Sequence, residues 1–197
     1  MNVVFILGVV ALFEVAQADP KCPDGAKIYA LDMSDDDQAV ALAEHNHYRQ
    51  MILDGEVDGQ PQAQEMPMLD YDNDLEYGAY EVVITCKMEH MISPDQRFSV
   101  GQNLFISWSS NLNTTADWPA AVKDWFDENE GYNYPEISNN ALHYTQVVWA
   151  KTTLVGCYFI TYYDNDPQMA QYPYARLYGC NYGPAGNMQG EAPYEEV

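Results

Sequence analysis

Basic residues are scarce in this chain of 197 residues. It has 8 Lys and Arg against 30 Asp and Glu, so its formal net charge is −22 at pH 7. Proteins that bind nucleic acid or anionic membranes need a basic face, because their partners carry phosphate groups. The charge balance therefore makes nucleic acid and anionic membrane surfaces poor partners for this protein.

Long apolar runs are also missing. The marked apolar stretch at residues 3–13 is too short to span a bilayer. It lies at the N-terminus and is followed by the small-x-small triplet of residues 16–18, a combination typical of a secretory signal peptide. We therefore predict a signal peptide at 1–18 with cleavage before Asp19, a secreted extracellular protein, and no transmembrane anchor.

Several motifs of catalysis and metal binding are absent. No two of the four cysteines have the C-x-x-C spacing of zinc fingers or thioredoxin-like sites, and the chain has no G-x-S-x-G elbow and no glycine-rich phosphate loop. A secreted chain meets an oxidising environment, which favours two disulfides over a metal site. No thiol is then clearly left as a nucleophile. The cysteines are Cys22, Cys86, Cys157 and Cys180.

Apolar and aromatic residues are plentiful. They include sixteen tyrosines, and the hydrophobic content is 47%, which together indicate a folded acidic protein and not a disordered one. Capping and apolar periodicity predict helices over roughly 34–53, 75–90, 115–126 and 142–150. Strands are predicted over roughly 103–108, 154–163 and 174–182, the last two adjacent and antiparallel. Helices flanking a few strands without a βαβ rhythm indicate a single α+β domain.

The acids between residues 70 and 81 have the ligand spacing of a calcium loop. Leu75 occupies the position that needs a sharply turning glycine, and a helix is predicted to begin inside the stretch. We therefore favour helix capping and solvated carboxylates over a calcium site. The acids are Asp70, Asp72, Asp74, Glu76 and Glu81.

One sequon is present. Asn113-Thr114-Thr115 has the N-x-S/T pattern of N-glycosylation and sits in a polar stretch. A glycan there would face solvent, so we predict a glycoprotein modified at Asn113.

Two long motifs carry a resemblance to a known family. They are HYTQVVW at 143–149 and CNYGPAGNMQG at 180–190, the second followed by APY at 192–194. They look like the two signature motifs of the CAP superfamily, which comprises cysteine-rich secretory proteins, antigen 5 and pathogenesis-related proteins. The family's first-helix pattern is matched by Leu42, His45, Asn46 and Arg49. Its third-helix pattern is matched by Trp125, Phe126 and Glu128, and its strand pattern by residues 155–157. The segment 100–103 and the linker ending in Met66-Pro67 are most similar to the arthropod antigen 5 branch.

The resemblance implies an architecture. Family members are α-β-α sandwiches, so we expect an N-terminal extension at 19–33 and one CAP domain at 34–197 with two disulfides. On the same resemblance Cys22 pairs with Cys86 and Cys157 with Cys180. The chain departs from the branch in having only four cysteines and in being unusually acidic.

The family's central cleft holds two histidines and two acids, which in some members bind a divalent metal. Carried over residue by residue, these positions are His90, His143, Glu128 and, in place of the second acid, Gln102. A glutamine accepts hydrogen bonds but carries no charge and cannot act as a general base. Two imidazoles and one carboxylate could still hold Zn²⁺ weakly, but we favour the alternative, a polar network lining a solvated cleft.

Two histidines on the first helix form an H-x-H pair. Residues two apart on a helix point to different faces, so His45 and His47 cannot chelate one ion. We expect His45, Asn46 and Arg49 to form a structural polar cluster packed under the cleft.

The resemblance implies two functions of different kinds. The leading hypothesis is a secreted, non-enzymatic antigen 5-like protein that binds a macromolecular partner, or a small apolar ligand such as a sterol or fatty acid. The alternative is a metal-dependent, protease-like hydrolase that uses His90, His143 and Glu128.

Overall fold

The computed structural model describes residues 21–23 and 26–197, so the predicted signal peptide at 1–18 lies outside the described residues. The strands are β1 Ile28–Asp32, β2 Asp70–Tyr71, β3 Gly101–Ser109, β4 Leu154–Tyr163 and β5 Tyr174–Gly183. The α-helices are α1 Asp35–Asp54, α2 Asn73–Val83, α3 Trp118–Asp127 and α4 Leu142–Val147. Short 3-10 helices lie at Glu128–Gly131 and Pro167–Met169.

A single sheet forms the centre of the domain. Its strand order is β1-β4-β5-β3, and β2 pairs in parallel with β4. The predicted antiparallel pairing of β4 with β5 is confirmed, with Cys157 directly opposite Cys180. Strand β1 was not predicted: it lies inside the segment expected to be an N-terminal extension, and it pairs antiparallel with β4.

Helices cover both faces of the sheet. Helix α2 packs on β4 and β5, whereas α1, α3 and α4 pack on one another and touch β3 and β4. This arrangement confirms the α+β class and the α-β-α sandwich. Both disulfides, Cys22–Cys86 and Cys157–Cys180, are present as expected. Within the described ranges, no helix is long and apolar enough to cross a bilayer.

Helix α1 begins where its sequence predicts. The Ser34 hydroxyl accepts a hydrogen bond from the Asp37 backbone N–H at 3.2 Å, and the Asp37 carboxylate accepts one from the Ser34 N–H. This reciprocal cap satisfies two of the N–H groups that a helix start leaves without partners. The helix ends at Gly55, whose φ of 70° suits a residue without a Cβ.

Helix α2 is shorter than predicted. The prediction that Cys86 and His90 lie on its inward face is wrong, because the helix ends at Val83 and Cys86 has a φ of 56°. A residue in this left-handed conformation cannot continue a right-handed helix. The chain is held there by the bond to Cys22 and by the Lys21 N–H, which donates to the Ile84 carbonyl at 2.7 Å.

The acidic stretch at 70–81 builds the start of α2. Asp72 caps the helix by accepting from the Leu75 N–H, and its carboxylate pairs with Arg97 at 2.7 Å. Glu76 accepts a hydrogen bond from the Tyr71 hydroxyl at 2.7 Å, and Glu81 accepts one from a serine. The acids serve as a cap and as hydrogen-bond acceptors, which agrees with the capping interpretation.

Gly156 in β4 lets α2 approach the sheet. A Cβ built at this position would lie 2.2 Å from the Glu76 backbone nitrogen and 2.4 Å from the Asp72 carbonyl oxygen. Backbone atoms cannot move aside as a flexible side chain does, so only glycine fits this close approach. The first turn of α2 therefore rests directly on the central strands.

Candidate functional site

Glu128 and His143 form the first half of the site. Glu128 follows the end of α3, and His143 lies in the first turn of α4. One carboxylate oxygen of Glu128 accepts from His143 Nδ1 at 2.7 Å. A carboxylate offers only acceptors, so Nδ1 carries a proton and the lone pair of the neutral ring is on Nε2.

The backbone of α4 also binds Glu128. Its second carboxylate oxygen accepts from the N–H groups of His143 at 2.9 Å and Tyr144 at 3.3 Å. Burial acts to raise the pKa of Glu128, but the hydrogen bonds from His143 and from these amides outweigh it and lower the pKa overall. Glu128 therefore stays ionised and serves as the anionic cap of α4.

Gln102 and His90 form the second half. The Gln102 amide is oriented by the backbone of Met91, because its Oε1 accepts from the Met91 N–H at 3.2 Å and its Nε2 donates to the Met91 carbonyl at 3.0 Å. His90 Nδ1 lies 3.0 Å from the same Oε1, so this nitrogen must be a donor. His90 is exposed and, like His143, has its lone pair on Nε2 in the neutral ring.

Asn181 completes the hydrogen bonding of Gln102, and the sequence predictions missed it. Gln102 Nε2 donates to Asn181 Oδ1 at 2.9 Å, and Asn181 Nδ2 donates to the Leu75 carbonyl at 3.3 Å. The two residues are direct partners in the pairing of β3 with β5. The available signal was a polar amide in a predicted strand, next to Cys180.

Two adjacent residues of the edge strand β3 contact the two pairs. The residue after Gln102 is Asn103, whose Nδ2 donates to the His143 carbonyl at 3.0 Å. Successive side chains of a strand point to opposite faces, so Gln102 serves the α2 side of the sheet and Asn103 the α3 and α4 side. The four predicted residues are therefore placed as two separate hydrogen-bonded pairs, one on either side of β3.

A buried polar network lies under the cleft. Asn103 Nδ2 also donates to the Tyr182 hydroxyl at 3.3 Å, and this hydroxyl lies 2.8 Å from His45 Nε2. His45 Nδ1 lies 2.7 Å from the Ala41 carbonyl and is therefore the donor nitrogen. Burial lowers the pKa of His45 to about 4, so the ring is neutral at physiological pH.

Arg49 is another buried polar residue of α1, four residues after His45. Its guanidinium is fully buried and donates to backbone carbonyls only, those of Pro67, Val147, Trp149 and Thr152. These carbonyls belong to the linker before β2 and to the end of α4 with the turn that follows it. The three residues predicted as a structural cluster each join α1 to another segment. His45 bonds to Tyr182 of β5, Asn46 exchanges two hydrogen bonds with the backbone of Leu69, and Arg49 binds these carbonyls.

The cleft offers few protein ligands for a metal. In the part of the chain that the structure describes, no group of three or more His, Cys, Asp or Glu side chains is arranged to hold a metal ion. Among the described residues no hydrogen bond is made to either imidazole Nε2, whereas three donors bind the oxygens of Glu128. The residues present therefore do not provide a three-ligand zinc site.

Asn113 lies in the exposed connection between β3 and α3. Its Oδ1 accepts a hydrogen bond from the Thr115 N–H at 3.0 Å. The side chain is accessible to the enzyme that would modify it, and glycosylation there stays a prediction.

The family is shown by comparison with known proteins. The model of the cysteine-rich secretory protein family, CAP, matches residues 42–182. The chain therefore belongs to the CAP family. Within that family, salivary antigen-5 from Triatoma infestans is 35% identical over 98% of this chain and 86% of its own length. Venom allergen 5 from Vespa mandarinia is 35% identical over 78% of this chain and 77% of its own length.

Solved structures share the fold. The crystal structure of NaASP2 with Zn²⁺ superposes with a TM-score of 0.70 at 28% sequence identity. The match covers 89% of this chain and 90% of that one. The salivary and venom relatives confirm the antigen 5 resemblance of the sequence.

Proposed function

We propose that this chain is a secreted, non-enzymatic antigen 5-like protein that acts as a binding scaffold for a macromolecular partner or a small apolar ligand such as a sterol or fatty acid. The observation that carries the proposal is that the polar groups of the cleft are used internally. The Gln102 amide makes four hydrogen bonds and the Glu128 carboxylate makes three. Such groups hold a structure in place and are not free to activate a substrate.

Secretion is supported by two independent features. Residues 1–18 have the pattern of a signal peptide, and the two disulfides are the kind of bond that forms in oxidising compartments. The names of related proteins refer to saliva and venom, which are secreted fluids.

A hydrolase would need a nucleophile beside the available base. His143 with Glu128 resembles a base with its orienting acid, and Nε2 of the ring is the free nitrogen. Across residues 21–23 and 26–197, however, no serine, threonine or cysteine side chain is hydrogen-bonded to either Nε2. Gln102 supplies no charge to activate a water in its place.

Apolar side chains stand at the surface next to His90. Met88, Met91 and Ile92 are 47%, 40% and 47% exposed. Exposed apolar groups gathered in one segment are typical of contact surfaces, and methionine adapts to partners of different shape. This segment supports a binding role for the face of the protein that carries the cleft.

Native mass spectrometry of protein secreted by eukaryotic cells tests the proposal. We expect a bound sterol or fatty acid, or a protein partner retained on purification, that survives dilution. Substituting Met88, Met91 and Ile92 together by serine should weaken retention of a macromolecular partner, whereas Met68→Ser, also at an exposed methionine, should not. Protein that binds no member of a lipid panel and retains no partner would contradict the scaffold role.

An assay for hydrolysis tests the non-enzymatic part of the proposal. We expect no zinc-dependent hydrolysis of generic peptide or ester substrates, because no Ser, Thr or Cys side chain in the described part of the chain is hydrogen-bonded to an imidazole Nε2. The matched control is the double variant Glu128→Ala and His143→Ala with unchanged Tm. Hydrolysis that needs zinc, persists through repurification and disappears in this variant would establish the enzyme instead.

We also propose that Gln102 weakens zinc binding at the two imidazoles. Gln102→Glu would place an anionic acceptor on His90 Nδ1, which makes Nε2 a better ligand, and partners of this kind change metal affinity by about 10–100-fold. Calorimetric zinc titration should therefore show tighter binding in Gln102→Glu and almost none in His143→Ala. Gln168→Glu, an exposed site distant in sequence, is the control for net charge. Equal affinities in all four proteins would show that the cleft is not a metal site.

A further inference from the structure

Three tyrosine rings cluster at the far end of the sheet from the cleft pairs. Tyr163 of β4 and Tyr174 of β5 are direct cross-strand partners, and their ring centroids are 5.9 Å apart. The ring of Tyr29 in β1 lies 5.8 Å from that of Tyr174. All three residues are half-buried, so each keeps part of its surface open to solvent. We call Tyr29, Tyr163 and Tyr174 the tyrosine row.

The predicted glycosylation sequon lies beside the tyrosine row. The next cross-strand pair along β4 and β5 is Thr161 with Arg176. Side chains two apart on a strand point to the same face, so this pair faces the same side of the sheet as the tyrosine pair of these strands. Thr161 Oγ1 lies 3.4 Å from the Asn113 carbonyl oxygen, and Arg176 Nη1 donates to the Thr115 carbonyl at 3.3 Å. The sequon therefore crosses the sheet about 7 Å, two residues along the strands, from the tyrosine pair.

Helix α3 lies on the other side of the sequon. The helix begins at Trp118, whose ring packs edge-on against Phe159 and Tyr178. The Asp117 N–H also donates to the Tyr178 hydroxyl at 3.0 Å, which ties the start of α3 to the same face of the sheet. A group attached at Asn113 thus has the helix on one side and the tyrosine row on the other.

A sugar and a tyrosine ring have complementary surfaces. One face of a pyranose ring consists of C–H groups, and its rim carries hydroxyls; a tyrosine likewise offers an apolar ring and a hydroxyl. Asn113 is exposed, and its Oδ1 accepts from the Thr115 N–H at 3.0 Å, which orients Nδ2, the atom that carries an N-linked glycan. Attachment beside the row makes the contact intramolecular, so a weak interaction is enough to populate it.

We propose that the first sugar residues of an N-linked glycan on Asn113 pack against the rings of Tyr163 and Tyr174. The Lys27 ammonium already lies 4.8 Å from the centroid of the Tyr29 ring, so the contact is assigned to the other two tyrosines. The packed sugars cover aromatic surface and hold the connection between β3 and α3 against the sheet. This inference rests on the predicted modification of Asn113 and not on the proposed binding function.

A crystal structure of the glycoprotein secreted by insect cells tests the inference directly. We expect an ordered first N-acetylglucosamine on Asn113 with carbon atoms within about 4.5 Å of the ring of Tyr163 or Tyr174. Sugar density that extends into solvent away from both rings would overturn the proposal. Peptide mass spectrometry that finds Asn113 unmodified in the secreted protein would overturn it as well, and would leave the scaffold function untouched.

Thermal unfolding measures the contact through a double-mutant cycle. Thr115→Ala removes the sequon but keeps Asn113 and the backbone. In the wild type we expect it to lower Tm by about 2–4 °C, the shift for a contact of the size of one aromatic pair. In Tyr174→Thr the same removal should leave Tm almost unchanged, because the glycan has lost its contact, whereas Tyr174→Phe should keep the wild-type shift.

The control for the cycle is Tyr77→Thr. Tyr77 is 48% exposed and lies on α2, on the opposite face of the sheet, so the glycan should contribute there as it does in the wild type. Any effect of the Thr115 hydroxyl itself is common to all backgrounds and cancels. An equal shift in Tyr174→Thr and Tyr77→Thr would overturn the proposal. If Tyr174→Thr does not fold, Tyr163→Thr takes its place in the cycle.

Discussion

Arg49→Met is expected to lower the free energy of unfolding by about 4 kcal/mol, within the range for removing one partner from a buried charged network. Methionine has a similar length but no donors. The substitution would leave four buried carbonyls, those of Pro67, Val147, Trp149 and Thr152, without the guanidinium that they share. Methionine carries no charge, so the cost of burying the guanidinium disappears and offsets part of this loss. It does not offset the cost of leaving four carbonyl acceptors without donors.

Urea denaturation measures the effect. Lys123→Met is the matched control, because Lys123 is exposed and its ion pair is with Asp127 one helical turn away, so its loss should leave the stability close to that of the wild type. Arg49→Lys keeps the charge with three donors and should fall between the two. A stability of Arg49→Met within about 1 kcal/mol of the wild type would show that water replaces the guanidinium at these carbonyls.

Acidification from pH 6.5 to about 4 is expected to remove about 3 kcal/mol of stability through His45 alone. Burial lowers the pKa of His45 to about 4 in the folded protein, whereas the unfolded chain keeps a value near 6.5. Between these values the unfolded state binds the extra proton, so stability rises with pH and is lost as pH falls. The hydrogen bond that Nδ1 donates to the Ala41 carbonyl persists in the protonated ring, whereas the one that Nε2 accepts from the Tyr182 hydroxyl requires the neutral form.

Unfolding measured across this pH range tests the linkage. His45→Gln should be less stable at pH 7 but should lack the part of the slope that His45 supplies, because glutamine does not titrate. His47→Gln removes an exposed histidine two residues away and should keep the slope of the wild type. Equal slopes in His45→Gln and the wild type would show that acid unfolding is controlled by the carboxylates instead.

The sequence alone predicted the elements whose signals are local. The start of α1 depends on Ser34 and the aspartates that follow it, all within one turn of the chain. The strands β4 and β5 are recognisable because aromatic residues recur in both over ten residues, with β-branched residues added in β4. The family motifs added what no local rule contains, namely the disulfide pairing and the identity of the four cleft residues.

Other features depended on contacts between distant segments. The end of α2 could not be predicted, because apolar periodicity continues beyond Val83 and the helix stops where Cys86 meets Cys22. Strand β1 is short, and it exists through its pairing with β4 more than a hundred residues later in the chain. Asn181 joins the site only because the register of β3 and β5 places it opposite Gln102.

The family motifs in the sequence predicted which residues would line the cleft, whereas the tertiary structure shows how their hydrogen bonds are directed. The sequence shows that Gln102 stands where the family has an acid. The orientation of its amide, however, is set by hydrogen bonds to the backbone of Met91, a residue on a neighbouring segment. The direction matters because it makes His90 Nδ1 a donor and leaves Nε2 as the free nitrogen. Residue type follows from sequence, whereas hydrogen-bond direction follows from which backbone groups the fold brings within about 3 Å.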